Sequence, residues 1–149
     1  MNVEALTEKA RRYCAYRERC TREVEEKLLR LGADRQVTDQ VIRVLRDEDF
    51  LDDQRFASIF VRGKFRQNGW GKAKIRAALL AKNIPEDHIR QALGEIDSDE
   101  YIQKLRALIA QKTQALQSRD KEDIRAKTAA YCIQKGYEPA LVWEILREL

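Results

Sequence analysis

The sequence predicts an all-α protein made of three tandem three-helix repeats that stack into an elongated, curved body. Apolar residues recur at intervals of three and four along nearly the whole chain, and no stretch alternates polar and apolar residues as strands do. Glycine and proline number only 6 and 2 in 149 residues, a composition that favours long helices over strands joined by many turns.

Short segments rich in helix-cap and helix-stop residues divide the chain into nine predicted helices. These eight breaks fall at residues 19–21, 32–34, 51–53, 68–71, 83–85, 96–98, 118–120 and 136–139. The helices group in threes because one pattern recurs, as Val24-x3-Leu28-Leu29-x2-Gly32, Ile75-x3-Leu79-Leu80-x2-Asn83, and Ile124 through Ala129-Ala130 to Gly136. This internal repeat predicts units at residues 1–50, 51–97 and 98–149.

The middle helix of each repeat is predicted to end at Gly32, Asn83 or Gly136, residue types that suit the left-handed conformation of a helix C-cap. The segment from Ile124 to Gly136 is four residues longer than its counterparts, so the middle helix of the third repeat should carry about one extra turn. An added turn preserves which face of the helix is buried.

The charge distribution says more than the net charge of +4, which is too small to identify a nucleic-acid-binding protein. Between Asp53 and Glu86 there is no acidic residue, whereas eight basic residues occur there: Arg55, Arg62, Lys64, Arg66, Lys72, Lys74, Arg76 and Lys82. One surface of the middle repeat should therefore be strongly positive. A second acid-free run, residues 101–119, carries Lys104, Arg106, Lys112 and Arg119 and would extend that surface.

The centre of the basic stretch is the predicted turn Asn68-Gly69-Trp70-Gly71, followed by Lys72. Lys72 and Arg76 lie one turn apart at the start of a helix, where free N–H groups also favour anions. Phosphates and acidic side chains would both fit this position. Trp70 either stacks on a base or a partner surface, or holds a tight turn between two helices.

The sequence shows no group of residues that could converge to form a catalytic site. His88 is the only histidine, and the three cysteines, Cys14, Cys20 and Cys132, include no Cys-x-x-Cys pair and fit reduced thiols. The glycines near Lys72 lack the spacing and the Ser or Thr of a phosphate loop. We therefore expect a protein that is not an enzyme, with no metal and no cofactor.

The N-terminal residues show no basic head followed by an apolar run, and no window reaches the roughly 18 uncharged residues of a membrane span. The sequence therefore predicts a soluble, cytoplasmic protein with no membrane association. A monomer is the default expectation.

The chain resembles, over nearly its whole length and most specifically in its middle repeat, the RecX family, bacterial regulators of the RecA recombinase. The motifs are Asp53-x2-Phe56-Ala57-x2-Phe60-Val61-x2-Lys64 and Asn68-Gly69-Trp70-Gly71-x2-Lys74-Ile75-x3-Leu79. The resemblance implies three three-helix repeats that bind along the groove of the RecA filament on single-stranded DNA. It also implies suppression of recombinase ATPase, strand exchange and co-protease activity, in DNA repair, recombination and the SOS response. Gln111-Lys112-Thr113 departs from the family, which has a basic-aromatic pair there.

The predicted contacts with the filament or its DNA share the acid-free stretch: Arg55, Arg62, Lys64, Arg66, Trp70, Lys72, Lys74, Arg76 and Lys82. Two other classes of function remain open from the residues alone. A helical module that binds DNA regardless of sequence, without a recombinase, would also need a basic face. A helical adaptor for an acidic protein partner would need the same.

Overall fold

The structure is a computed structural model that describes residues 2–149. Nine α-helices and no strand occur in these residues, which confirms the predicted all-α class. The helices are α1 (Val3–Tyr16), α2 (Thr21–Arg30), α3 (Arg35–Asp47), α4 (Asp53–Arg66), α5 (Lys72–Ala81), α6 (Glu86–Gly94), α7 (Ser98–Ala115), α8 (Lys121–Gln134) and α9 (Pro139–Arg147). Each predicted break separates two of them.

Short polar side chains begin several of the helices by accepting hydrogen bonds from backbone N–H groups of the first turn. The Asn2 side chain accepts from the N–H of Ala5 at 2.7 Å and starts α1. Asp34 does the same for α3 at 2.9 Å, and Asp97 for α7 at 2.9 Å. The helix boundaries are therefore fixed locally, by side chains three residues from the amides that they satisfy.

The predicted left-handed C-caps are confirmed, with φ of +92° at Gly32, +60° at Asn83 and +108° at Gly136. In each case the N–H of the next residue donates to a carbonyl five residues back, which satisfies a carbonyl that the helix end would leave without a partner. Asp49 closes α3 in the same way at φ +64°, although it is not among the predicted left-handed caps.

The extra turn of the third repeat is also confirmed, because α8 has 14 residues whereas α2 and α5 have 10 each. Its partner α7 is longer as well, with 18 residues against 14 in α1 and α4. The two helices that are longer than their counterparts also pack against each other.

The chain divides by its contacts into two units. One contains the residues up to Ile59 together with Leu79–Ile89; there α1, α2 and α3 pack around Leu6, Val24 and Leu45. The other contains Phe60–Ala78 and Arg90–Leu149, in which α7, α8 and α9 pack against one another. The residues of α4, α5 and α6 are shared between the units, and the three predicted repeat boundaries stay a prediction.

Candidate binding surface at the turn between α4 and α5

The turn between α4 and α5 is shaped by one glycine. Gly69 has φ +68°, a left-handed conformation that side chains other than glycine rarely adopt. Its N–H donates to the Phe65 carbonyl at 3.1 Å, and the N–H of Trp70 donates to the Lys64 carbonyl at 3.0 Å. These bonds cap the end of α4 and fix the backbone from which the Trp70 ring projects.

This turn pairs with the turn between α8 and α9 through two backbone hydrogen bonds. The N–H of Gly71 donates to the Lys135 carbonyl at 2.8 Å, and the N–H of Ala73 donates to the Gly136 carbonyl at 2.9 Å. A Cβ added to Gly71 would lie 2.5 Å from the Gly136 carbonyl oxygen, closer than real Cβ atoms approach. Gly71 therefore permits two stretches of backbone to touch.

Two buried tyrosines complete the contact between the turns. The Tyr137 hydroxyl donates to the Gly69 carbonyl at 3.1 Å. The Tyr101 hydroxyl donates to Glu138 Oε1 at 2.7 Å and accepts from the N–H of Lys72 at 3.0 Å. Burial raises the pKa of both phenols above their ordinary range. Both hydroxyls therefore stay protonated and able to donate at neutral pH.

The expectation that the start of α5 offers free amides to an anion is wrong for its first two residues. The Lys72 and Ala73 N–H groups already donate to Tyr101 and to Gly136. Sequence could not show this, because the acceptors come from a segment far along the chain. These two amides are therefore not available to an anion.

Lysine side chains gather at the Trp70 ring, which is itself half-buried. The Lys64 ammonium lies 4.8 Å from the ring centroid and the Lys74 ammonium 4.6 Å from it. We call Lys64, Trp70 and Lys74 the lysine–tryptophan cluster. Lys72 points to another ring, 4.9 Å from the centroid of Tyr101. Both distances at Trp70 are within the range of cation–π attraction.

Two further lysines reach the same turn from α7 and from the end of α8. Lys104 Nζ donates to the Arg66 carbonyl at 3.3 Å, and Lys135 Nζ donates to the Asn68 carbonyl at 2.8 Å. Both cations therefore cap carbonyls at the negative end of α4. Lys104 belongs to the second acid-free run, whereas Lys135 lies outside both runs, and its only sequence signal is its place before the predicted C-cap Gly136.

Two of the predicted contact residues are engaged elsewhere, in the unit that contains α1 to α3. Arg55 Nε lies 2.8 Å from Glu18 Oε1, and this bond raises the pKa of the guanidinium. Lys82 Nζ lies 3.7 Å from Glu23 Oε2. Both carboxylates come from outside the acid-free stretch, so the absence of acids in the sequence does not leave these two cations unpaired.

The other predicted residues of this stretch are spread over α4 and α5. Arg66 is exposed and lies 3.6 Å from Glu100, Arg62 is exposed on α4, and Arg76 is half-buried on α5. Lys64, Lys72 and Lys74 form no ion pair with a carboxylate among residues 2–149. The structure thus brings three of the predicted lysines together around the turn.

The second acid-free run contributes less positive surface than its sequence indicates. Arg106 pairs with Glu148 at 2.9 Å, and the Lys112 ammonium lies 4.7 Å from the Tyr131 ring centroid. Gln111-Lys112-Thr113 lacks the basic-aromatic pair of the family in sequence, but Tyr131 of α8 places an aromatic ring beside Lys112 in the fold. Arg119 is exposed between α7 and α8.

The cysteines and the possible metal ligands of the described residues form no candidate site. The three cysteines are buried and unbridged, and burial raises the pKa of each thiol to about 11. Within the described residues, no three His, Cys, Asp or Glu side chains are placed to hold a metal ion. Among the nine helices described, none combines the length and the apolar composition needed to cross a membrane.

Comparison with known proteins places this geometry in a family. Residues 7–45 match the family model described as RecX, first three-helix domain, and residues 52–93 match RecX, second three-helix domain. The chain is 30% identical over 132 residues to regulatory protein RecX of Clostridium acetobutylicum, covering 86% of this chain and 61% of the relative. It is 31% identical over 137 residues to that of Prosthecochloris aestuarii, covering 92% of this chain and 88% of the relative. The crystal structure of RecX from Lactobacillus salivarius has the same fold, with a TM-score of 0.90 at 22% identity over 99% of this chain and 96% of that one.

Proposed function

Since the chain belongs to the RecX family of regulatory proteins, we propose that it modulates the RecA recombinase. The proposed action is negative regulation, by binding along the groove of the RecA filament on single-stranded DNA. No catalytic residue is needed for this action, because occupying the groove is enough to keep incoming DNA out.

The observation that carries the proposal is the group of unpaired lysines at the turn between α4 and α5. Lys64, Lys72 and Lys74 are held by a turn that is hydrogen-bonded to the turn before α9, and no carboxylate of residues 2–149 neutralises them. A filament groove that exposes phosphates or acidic side chains would attract such cations. The proposed contact residues are Arg62, Lys64, Arg66, Lys72, Lys74 and Arg76.

In the proposed mechanism, the middle repeat binds the groove while the flanking repeats contact successive recombinase subunits. Several weak contacts on one chain give a high combined affinity, because each later contact forms at a high effective concentration. Ion pairs at a wet surface are screened by salt, so binding should weaken steeply as ionic strength rises. Arg55 and Lys82, which already pair with Glu18 and Glu23, are expected to contribute less.

DNA-dependent ATP hydrolysis by RecA, measured with and without this protein at substoichiometric amounts, tests the proposal. Inhibition should appear well below one copy per recombinase subunit, because one bound copy affects several subunits. An ATPase rate that stays unchanged at every ratio would show that the chain does not modulate RecA.

A charge-reversed variant tests the surface. Changing Lys64, Lys72 and Lys74 to Glu takes the formal net charge from +4 to −2, since each change subtracts two charges. The matched control makes the same change at Lys9, Arg30 and Arg43, all exposed and far from this turn in sequence. The first variant should lose filament binding and the control should keep most of it. Equal losses would mean that only net charge matters, which would contradict the assignment.

A further inference from the structure

We infer that the lysine–tryptophan cluster binds single-stranded nucleic acid directly, with one unpaired base stacked on Trp70 and its neighbouring phosphates bound by Lys64 and Lys74. The inference deepens the proposed function at the same surface. It rests on that function in one respect: the ligand is taken to be single-stranded because the proposed filament forms on single-stranded DNA.

The Trp70 ring is suited to stacking because its backbone is fixed while its side chain remains partly accessible. Its N–H is bonded to the Lys64 carbonyl, and the adjoining Gly69 and Gly71 are tied to Tyr137 and Lys135. A ring on such a support loses little freedom when a base stacks on it, so little affinity is lost to ordering. The neighbouring glycines carry no side chain that would cover the ring.

The two ammonium groups are placed to serve the phosphates on either side of a stacked base. Each lies within 4.8 Å of the ring centroid, and neither forms an ion pair with a carboxylate within the described part of the chain. Lys104 and Lys135 differ, because their ammonium groups already bind backbone carbonyls. Lys64 and Lys74 are therefore the two cations beside the Trp70 ring that a ligand can recruit.

A base that stacks on Trp70 can displace a lysine ammonium from the ring, and the displaced ammonium can still contribute by binding a phosphate. A cation–π contact at an accessible site is weaker than the stacking of a base on the same ring. The lysine side chain has several rotatable bonds, so its ammonium can swing from the ring to a phosphate next to the base. The favourable exchange replaces one weak contact with a stacked pair and a phosphate contact.

Residue types at the turn favour nucleic acid over an acidic protein surface. Carboxylates are best matched by the two-pronged guanidinium of Arg, and short ion pairs of this kind join Arg11 to Glu48 at 2.7 Å and Arg55 to Glu18 at 2.8 Å. The cluster instead combines lysines, which bind phosphate as point charges, with an aromatic ring. That combination is typical of surfaces that bind single strands regardless of sequence.

The test compares two strands and two tryptophans in the absence of any recombinase. Fluorescence anisotropy measures the affinity of the full chain for an oligothymidylate of about 16 nucleotides and for an abasic strand of equal length. Trp70→Ala should weaken oligothymidylate binding by about 5- to 150-fold, the range expected for one lost stacking contact. It should leave binding to the abasic strand unchanged, because that strand has no base to stack.

Trp143→Ala is the matched control, because Trp143 is also accessible, at 40% exposure, on α9. It should alter neither affinity. Trp70→Phe should recover part of the oligothymidylate affinity, since a phenyl ring also stacks. Replacing Lys64 and Lys74 by Gln should reduce the slope of log affinity against log salt by about 0.7 per lost phosphate contact.

Several results would overturn the inference. One is that Trp70→Ala weakens the affinity for the two strands equally. Another is that Trp70→Ala and Trp143→Ala weaken oligothymidylate binding equally. A third is an affinity for polyglutamate that exceeds the affinity for DNA and depends on Trp70. Circular dichroism and urea unfolding of each variant show whether the fold is kept, and Trp70→Phe supplies the answer if Trp70→Ala unfolds. Inhibition of RecA ATPase with no stacking effect would refute this inference alone. A stacking effect with no change in ATPase would refute the proposed function alone.

Discussion

Replacing Gly71 by alanine should destabilise the protein by about 2 kcal/mol, through the loss of the hydrogen bonds that join two turns. The new Cβ would lie 2.5 Å from the Gly136 carbonyl oxygen and would also meet the backbone at Tyr137. Backbone atoms cannot rotate away as the end of a side chain can. The α4–α5 turn and the α8–α9 turn must therefore move apart.

The magnitude follows from the bonds that this separation breaks. They are Gly71 N–H to the Lys135 carbonyl, Ala73 N–H to the Gly136 carbonyl, and the Tyr137 hydroxyl to the Gly69 carbonyl. At about 1 kcal/mol each they amount to about 3 kcal/mol. Alanine offsets up to about 1 kcal/mol of this loss in the free energy of unfolding, because it restricts the unfolded chain more than glycine does.

Urea unfolding followed by far-ultraviolet circular dichroism measures the change, and two other glycines separate its causes. Gly63 lies within α4 with no atom near its added Cβ, so Gly63→Ala should stabilise the protein by about 0.5–1 kcal/mol. Gly32 also has open space but a φ of +92°, so Gly32→Ala should cost about 1–2 kcal/mol from backbone strain alone. If Gly71→Ala behaves like Gly63→Ala, the reasoning about the joined turns is refuted.

Three further predictions concern buried groups. Tyr137→Phe should cost about 1–3 kcal/mol in urea unfolding, because the buried Gly69 carbonyl loses its hydroxyl donor; a change near zero would show that another group replaces it. Burial raises the pKa of Tyr137 and Tyr101 in the folded protein, so both phenols ionise more readily after unfolding. The contribution of these two phenols to stability should therefore be constant below the ordinary tyrosine pKa of about 10 and fall as the pH rises above it. Tyrosinate absorbance should show these two groups ionising only together with the loss of helical signal, and early ionisation of all five tyrosines would contradict the burial. The three buried thiols, with pKa raised to about 11, should react with a thiol reagent at neutral pH only as fast as the chain opens. Rapid labelling in the absence of denaturant would disagree with their burial.

The nine helices found in residues 2–149 and their ends were predictable because their signals are local. A cap such as Asp34 satisfies an amide three residues away, and a C-cap such as Gly136 acts within five residues. The extra turn of α8 followed from counting residues between equivalent apolar positions. Asp49 is not among the predicted left-handed caps, because aspartate adopts a positive φ less readily than glycine does.

The candidate site was only partly predictable, because charge along the sequence does not determine charge in space. The acid-free stretch contains eight basic residues and predicted a strongly positive surface, yet Glu18 and Glu100 reach Arg55 and Arg66 from distant positions. Lys135 contributes a cation at the turn from 67 residues beyond Asn68. No pattern within the acid-free stretch could predict these partners, because they lie outside it in the sequence.

The sequence by itself determined the helical class, the repeat pattern, the caps and the concentration of lysines beside Trp70, since each depends on neighbours within a few residues. Only the tertiary structure decided which cations remain unpaired and that the first amides of α5 are already occupied. It also decided that Gly71 is needed for contact with Gly136 rather than for φ. The physical reason is range: hydrogen bonds and ion pairs act over a few ångströms, between residues that only folding brings together.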